Sequence, residues 1–498
     1  MPLSNLPMPR PTPYPQPAAD SFAEQVRRAV IWRSGSQVLA QSVQWAATFL
    51  VIRILDPRDY GLFAMTSVMM VFLNMLNGTG LASALIQQPT VTKAEIRQLF
   101  GMLLALNAML AIIQFLAAPL AAAYYRQDQV VPLLRVQSLL YLTTPFIALP
   151  GALLSRAMDF RHQARANIAA SIAGASTALG GALLGWGVWT LVAAPMTLFA
   201  TRGAMMTWSA RSLIWPSFDF RDSGQFARYG GVLAAGQLFW FLQSQADVFI
   251  AGRHFSAHAL GIYTTSLFLT QIFVAKFVPP LNEVAFSAYA RIQHDEAAVA
   301  RAFVRAAGIV MLAAMPFYMG LAVTAEPLVL IALGDKWREM AAVVRLLALA
   351  MPFMTLNVLY TPACDAKGRP GIGVRNGAAG AAILATCFLV GVQGGPAGLG
   401  YAWILGYPLY LAVSTWRSLP VIGVRLHELA ASIAPAVLAS LAMALVVRLA
   451  DLMLPPVEVH ARFAMLVVIG AAAYAGWLLA FAADTVRESL AVVRLRRT

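Results

Sequence analysis

The sequence predicts an all-α polytopic membrane protein with about 14 transmembrane helices, arranged as two six-helix lobes plus two C-terminal helices. Three observations predict it: a scarcity of charge, a succession of apolar runs of membrane-spanning length, and an internal repeat. Of the 498 residues, 59% are hydrophobic and only 12% are charged, with a mean hydropathy of +0.68. A soluble domain averages roughly 45–50% apolar and about 25% charged residues. Charge is the sharper discriminator, because a water-facing surface needs it and a lipid-facing one excludes it.

A span needs about 20 largely apolar residues to cross the hydrocarbon. Such runs lie at 35–55, 60–83, 99–121, 132–154, 167–186, 188–208, 229–251, 260–282, 305–325, 342–361, 371–391, 397–416, 430–450 and 462–483. Residues 1–28 read as a Pro-rich cytoplasmic tail, since Pro9-Arg10-Pro11-Thr12-Pro13 favours extended, solvated backbone and no signal-peptide apolar segment is present. Residues 29–208 form an N-lobe of six spans and 209–420 a C-lobe of six. Residues 421–498 hold two further spans and a basic tail.

The formal charge of +14 is spread in small groups between apolar runs, not gathered into a nucleic-acid-binding patch. Lys93/Arg97, Arg156/Arg161/Arg165, Arg211/Arg221/Arg228, Lys367/Arg369/Arg375 and Arg494/Arg496/Arg497 all fall on one side of this layout. The positive-inside bias places that side, and both termini, in the cytoplasm. The stretch Ala288–Arg305 has helical apolar spacing and reads as an interfacial amphipathic helix.

A shift of 200 positions superposes Ala46, Phe49, Arg53 and Gly61 on Ala246, Phe249, Arg253 and Gly261. Further on, Leu134-Arg135-Val136 with Pro145-Phe146 matches Val344-Arg345-Leu346 with Pro352-Phe353. Six crossings per unit leave both units in one orientation, related by an axis along the membrane normal. Two such lobes around a midplane site form a secondary-transporter architecture.

Enzymatic signatures are absent from the sequence. There is no GxxxxGK[ST], HExxH, CxxC or GxSxG, and Gly371-Ile-Gly373-Val-Arg-Asn-Gly377 lacks the third spacing of a dinucleotide fingerprint. The six histidines and two cysteines suggest no metal site and no cofactor. The site residues are therefore sought among polar groups inside spans, where an ion costs at least ~2.5–3.5 kcal/mol unless it meets water or a partner. Lys276, deep in span eight, should face a watery cavity or pair with Asp247 of span seven. Asp247 is either that structural partner or a carboxylate that couples transport to H+ or Na+. Arg53 and Arg253, near the outer ends of spans one and seven, either join the cavity or snorkel to the interface. Arg135 and Arg345 lie one or two turns into spans four and ten. Gln41, Gln44, Asn74, Asn77, Gln237, Gln243, Gln245 and Asn282 line a path for hydroxylated substrates or form interhelical hydrogen bonds. Gly181-xxx-Gly185 reads as a helix-packing motif, and Pro145, Pro316 and Pro352 as kinks.

The run Arg53-Ile-Leu-Asp-Pro-Arg-Asp-Tyr-Gly61 resembles the opening motif of the bacterial polysaccharide transporters, the lipid-linked oligosaccharide flippases. Gly80-Leu-Ala-Ser-Ala-Leu-Ile-Gln87, Arg156-Ala-Met-Asp-Phe160-Arg161, Gly187-Val-Trp189-Thr-Leu191, Leu260-Gly-Ile-Tyr263 and Gly334-Asp-Lys-Trp337 are similar to later motifs of that family, in the same order over residues 25–420. The resemblance implies the fold of the exporter superfamily that also contains drug/cation antiporters. It implies a non-enzymatic transporter of the bacterial inner membrane that moves undecaprenyl-diphosphate-linked sugar units to the periplasmic leaflet by alternating access. Its partners would be the lipid-linked oligosaccharide, membrane lipids, and a polysaccharide polymerase with its export machinery. Family cavities tend to be cationic, a role only Lys276, Arg53, Arg253, Arg135 and Arg345 offer in this sequence. Two rivals remain at this point: a cation-coupled drug antiporter using Asp247, and a membrane-embedded glycan polymerase or ligase.

Overall fold

The computed structural model describes residues 22–78, 80–82, 85, 91–219, 239 and 241–483, with side chains from residue 35 onward. Fourteen helical spans follow one another in these residues. They are α1 (Phe22–Ile54), α2 (Pro57–Asn74), α3 (Lys93–Tyr125), α4 (Val130–Arg156), α5 (Phe160–Leu183), α6 (Val188–Ala210) and α7 (241–254). The others are α8 (Ala257–Arg291), α9 (Glu296–Val323), α10 (Met340–Ala366), α11 (Gly371–Gly391), α12 (Gly395–Ile422), α13 (Leu426–Met453) and α14 (Val459–Phe481). A short helix, Ala325–Ala332, joins α9 to the turn before α10. Among the described residues nine helical stretches are long and apolar enough to cross a membrane, and one of them, Gly371–Ile422, contains both α11 and α12.

Local chemistry sets the ends of these helices. Thr92 caps α3 by accepting from the Glu95 amide while the Glu95 carboxylate accepts from the Thr92 amide, a reciprocal capping box. Pro57 opens α2 at a position where a missing N–H costs nothing. α4 is broken at Ser138 and again at Thr144, where Pro145 starts the last segment. Pro316 and Pro352 lie inside α9 and α10 as expected, and α8 carries an adjacent pair, Pro279 and Pro280. Each proline of that pair removes one i→i−4 bond, so the carbonyls of Ala275 and Lys276 lose their helical donors.

Three expectations are corrected. The stretch 288–305 is not a separate interfacial helix: α8 runs on to Arg291, and α9 starts at Glu296 behind the N-cap Asp295, whose side chain accepts from the Ala298 amide. Its periodicity belongs to the ends of two spans. The second span stops at Asn74 and does not continue unbroken to residue 83, because the chain turns at residues 75–78, with Gly78 at φ +75°. Gly181 and Gly185 are not a matched pair: a Cβ on Gly181 would meet Trp186 and Thr190, whereas Gly185 sits in the turn beyond α5 at φ +73°.

Packing divides into two groups. α1 packs on α5, α5 on α6, α3 on α4 and α4 on α6; separately, α8 packs on α10, α9 on α10, α10 on α12 and α11 on α12. α13 lies against α9, and α14 against α13. The groups meet chiefly where α2 crosses α8. The predicted Pro-rich tail, the C-terminal arginines, Arg221, Arg228 and Gln237 lie outside the described residues.

Candidate functional site

At one end of the molecule the two groups are sealed together. α2 and α8 approach backbone to backbone: a Cβ on Gly61 would lie 1.7 Å from the Ala257 carbonyl oxygen, and one on Gly261 would lie 1.7 Å from that of Pro57. Only glycine permits that approach. Around it, four donors reach across to main-chain oxygens near helix C-termini. Arg53 Nη1 donates to Ile331 O (3.0 Å) and Arg253 Nη1 to Tyr124 O (2.9 Å), while Trp337 Nε1 donates to Ile52 O (2.8 Å) and Lys336 Nζ to Ile54 O (3.2 Å). Carbonyls in a last helical turn lack intrahelical donors and carry the negative end of the helix dipole, so cationic and N–H groups suit them. Lys336 also pairs with Asp56 at 2.9 Å, and Trp337 packs edge-on against Tyr60. Arg253 lies over the Tyr124 ring, which stacks on Phe249.

Behind this seal lies a cavity of about 660 Å³. α1, α2, α5 and α6 supply one wall and α7 with α8 the other. Its lining is polar on α1, α7 and α8, through Gln41, Gln44, Ser244, Gln245, Gln271 and Lys276. Trp45, Tyr60, Phe63 and Phe268 contribute ring surface. Lys276 is the one charged side chain of this lining among the described residues. Its Nζ lies 3.4 Å from Gln41 Oε1, so a side chain from each group closes one edge of the cavity. Lys276 stands 15 residues along α8 from Gly261, about 22 Å from the sealed end at helical rise.

Asp247 does not pair with Lys276. It is buried, accepts from Tyr263 Oη at 2.6 Å and from its neighbour's amide, Val248 N, at 2.8 Å; Tyr263 Oη in turn accepts from Trp403 Nε1 at 2.8 Å. Tyr263 lies 13 residues before Lys276 on α8, about 20 Å away. The carboxylate thus belongs to a network one layer behind the cavity wall, between Gln245 and Val248, which face the cavity.

The other sequence-derived residues are distributed away from the cavity lining. Arg135 is exposed, over the ring of Phe115 at 4.8 Å, and Arg345 is exposed near the start of α10. Asn77 Nδ2 donates to Asn74 Oδ1 at 2.5 Å, and Asn107 Nδ2 donates to Asn77 O, so these asparagines organise the turn after α2. Gln243 Nε2 donates to Gly377 O and Tyr410 Oη, tying α7 to α11 and α12. Asn282 Nδ2 donates to Val358 O, joining α8 to α10. Sequence reasoning did not single out Arg202, half-buried in α6 with its Nε lacking a partner, nor the sealing roles of Lys336 and Trp337.

With this geometry in view, the sequence profile of the family described as polysaccharide biosynthesis protein matches residues 50–342. The chain belongs to that family. The match runs from the last turn of α1 through the cavity-forming helices to the start of α10. Among characterised relatives, the succinoglycan biosynthesis transport protein ExoT of Rhizobium meliloti is 25% identical over 350 residues, covering 70% of this chain and 71% of its own. The teichuronic acid biosynthesis protein TuaB of Bacillus subtilis is 22% identical over 70% of this chain and 73% of its own. The lipopolysaccharide biosynthesis protein WzxC of Escherichia coli is 22% identical over 66% and 67%. The fold is that of the lipid II flippase MurJ in an inward closed conformation, with a TM-score of 0.73 at 13% identity over 92% of this chain and all of that one. A multidrug resistance transporter of the MATE family, inward-facing, superposes with a TM-score of 0.59 at 15% identity over 77% and 95%. The protein is a multi-pass membrane protein of a polysaccharide biosynthesis family.

Proposed function

We propose that this protein is a transporter, a flippase for undecaprenyl-diphosphate-linked oligosaccharide repeat units that carries the glycan head group to the periplasmic leaflet of the bacterial inner membrane. There a polymerase and export machinery would consume it in extracellular polysaccharide or lipopolysaccharide assembly. The observation that carries this reading is the polar cavity between two helix groups, sealed at one end and holding Lys276 at an edge where α1 meets α8. A polyprenyl tail has no need to enter such a cavity; it stays in lipid while the head group occupies the polar interior. Lys276 supplies the positive charge for the diphosphate, and alternation between the two leaflets follows from separating the Gly61–Gly261 seal while the opposite end closes.

In this reading residues 29–208 and 209–420 are the two moving lobes, and 421–498 holds two flanking helices and a tail. The distribution of Lys and Arg supports cytoplasmic termini, which puts the sealed end on the periplasmic side. Asp247, behind the wall that Gln245 and Val248 form, is the carboxylate through which an H+ or Na+ gradient acts on α7 and α8.

The test is deletion of the gene followed by complementation. Lipid-linked repeat units should accumulate in the cytoplasmic leaflet, wild-type and Lys276→Arg genes should restore polymer, and Lys276→Ala should cut output at least about tenfold, the loss of one charge-assisted contact. Unchanged polymer on deletion, with heightened sensitivity to organic cations instead, would replace this reading with that of a drug antiporter.

A further inference from the structure

We infer that a second carbohydrate site lies outside the seal, a dimple over α2, α4 and α6 that holds one or two sugar rings of the delivered glycan. The inference rests on the flippase reading and adds a site separate from the transport cavity. The dimple encloses about 350 Å³, at the small end of ligand pockets (about 300–1,000 Å³). Arg58, Asp59, Gln129, Trp186 and Trp189 line it, and buried Leu62 and Leu133 complete the lining. The three helices begin here, at Pro57, Val130 and Val188, and pack on one another, so the dimple stands over their junction.

Each group has a counterpart on a pyranose. Trp186 and Trp189 are 40% or more exposed, so indole surface is open to the apolar C–H face of a sugar ring. Trp186 is held from below by α5, since a Cβ on Gly181 would come 2.8 Å from its Cε3. Asp59 Oδ2 accepts from the Asp56 amide at 3.2 Å, while Oδ1 lies toward Gly187, where a Cβ would come within 3.2 Å of it. A carboxylate offers about four acceptor sites, so sites remain for sugar hydroxyls to donate to. Arg58 and Gln129 are exposed; both supply donors, and Gln129 an acceptor as well. Interfacial tryptophans otherwise anchor helix ends among lipid headgroups. A carboxylate, a guanidinium and an amide grouped about two indoles fit the hydroxyls and ring face of a sugar.

Position supplies the ligand. Arg58 and Asp59 lie between Asp56 and Tyr60, which meet Lys336 and Trp337 across the seal. A glycan released as the seal opens therefore passes the dimple. The lining comes entirely from residues 58–189, on the N-terminal side of the seal, so the site stays whole while the two groups separate.

The test uses the full-length protein in nanodiscs and, as probe, the free oligosaccharide released by mild acid from the lipid-linked units that the deletion strain accumulates. Binding is read by titration calorimetry. The wild-type protein should bind the probe, and Trp186→Ala, Trp189→Ala and Arg58→Gln should each weaken binding about tenfold. Trp189→Phe, which keeps a ring face, should recover most of the loss. Arg58 is exposed, so Arg58→Gln reports on the site even where a tryptophan variant unfolds. A wild-type protein that does not bind the probe, or variants that bind it as the wild type does, overturn the inference and leave the flippase reading standing. A deletion strain that accumulates no lipid-linked units overturns the flippase reading, and this inference with it.

Discussion

Gly61 and Gly261, superposed by the 200-residue repeat, are also each other's neighbours: a Cβ on either would come 3.0 Å from the backbone nitrogen of the other. The repeat axis therefore passes close to this contact, and the seal of the cavity is built on it. Gly61→Ala or Gly261→Ala forces α2 and α8 apart. Overpacking of this kind costs about 1–3 kcal/mol. Each variant should lower the unfolding temperature in detergent and cut polymer export, and the double variant should do little more than either alone.

Arg53 and Arg253 hold the same end shut from opposite sides. Both are exposed, so solvent screening leaves each bond about 1 kcal/mol or less. Arg53→Gln with Arg253→Gln should therefore keep the fold but open the seal more often. With Cys364 and Cys387 replaced, a cysteine at Thr48, in the cavity wall, should react faster with an impermeant thiol reagent added from the periplasmic side.

The Asp247–Tyr263–Trp403 chain predicts an ordering of damage. Tyr263→Phe strands the Asp247 carboxylate oxygen and the Trp403 indole N–H together, at about 1–3 kcal/mol for each unsatisfied group. Asp247→Asn removes the charge and one of the two acceptor oxygens, so with its remaining oxygen on the tyrosine hydroxyl a single donor, the Val248 amide, loses its side-chain partner. Thermal unfolding should show the larger loss for Tyr263→Phe, while Asp247→Asn should abolish the response of transport to an imposed H+ or Na+ gradient.

Pro279 and Pro280 predict a hinge just beyond Lys276. Replacing both by alanine restores two helical bonds and straightens α8. The variant should be at least as stable to heat as the wild type, yet slower in glycan transfer.

Sequence alone carried the fold further than the site. Span positions follow from local apolarity, and 371–391 coincides with α11 residue for residue. Failures came where a helix outlasts the hydrocarbon, as α8 does to Arg291, or where a turn hides in an apolar run, as at residues 75–78. Among the polar residues, Lys276, Gln41, Gln44 and Gln245 line the cavity and Asn74, Gln243 and Asn282 do not. Both kinds look alike in sequence, because rotation of a helix by a third of a turn exchanges cavity for neighbour. The pairing of Asp247 with Lys276 rested on opposite charge and ignored depth, which separates them by more than half the hydrocarbon thickness.

Apart from the pairing of Lys336 with Asp56, the hydrogen bonds that Arg53, Arg253, Lys336 and Trp337 make across the seal end on main-chain oxygens. Every amino acid carries such an oxygen, so Ile331, Ile54 and Ile52 can drift without breaking the hydrogen bond itself. Related transporters should therefore keep the donors while their acceptor positions vary freely. A search for co-varying residue pairs would then pass over these contacts, although they hold the two halves of the protein together.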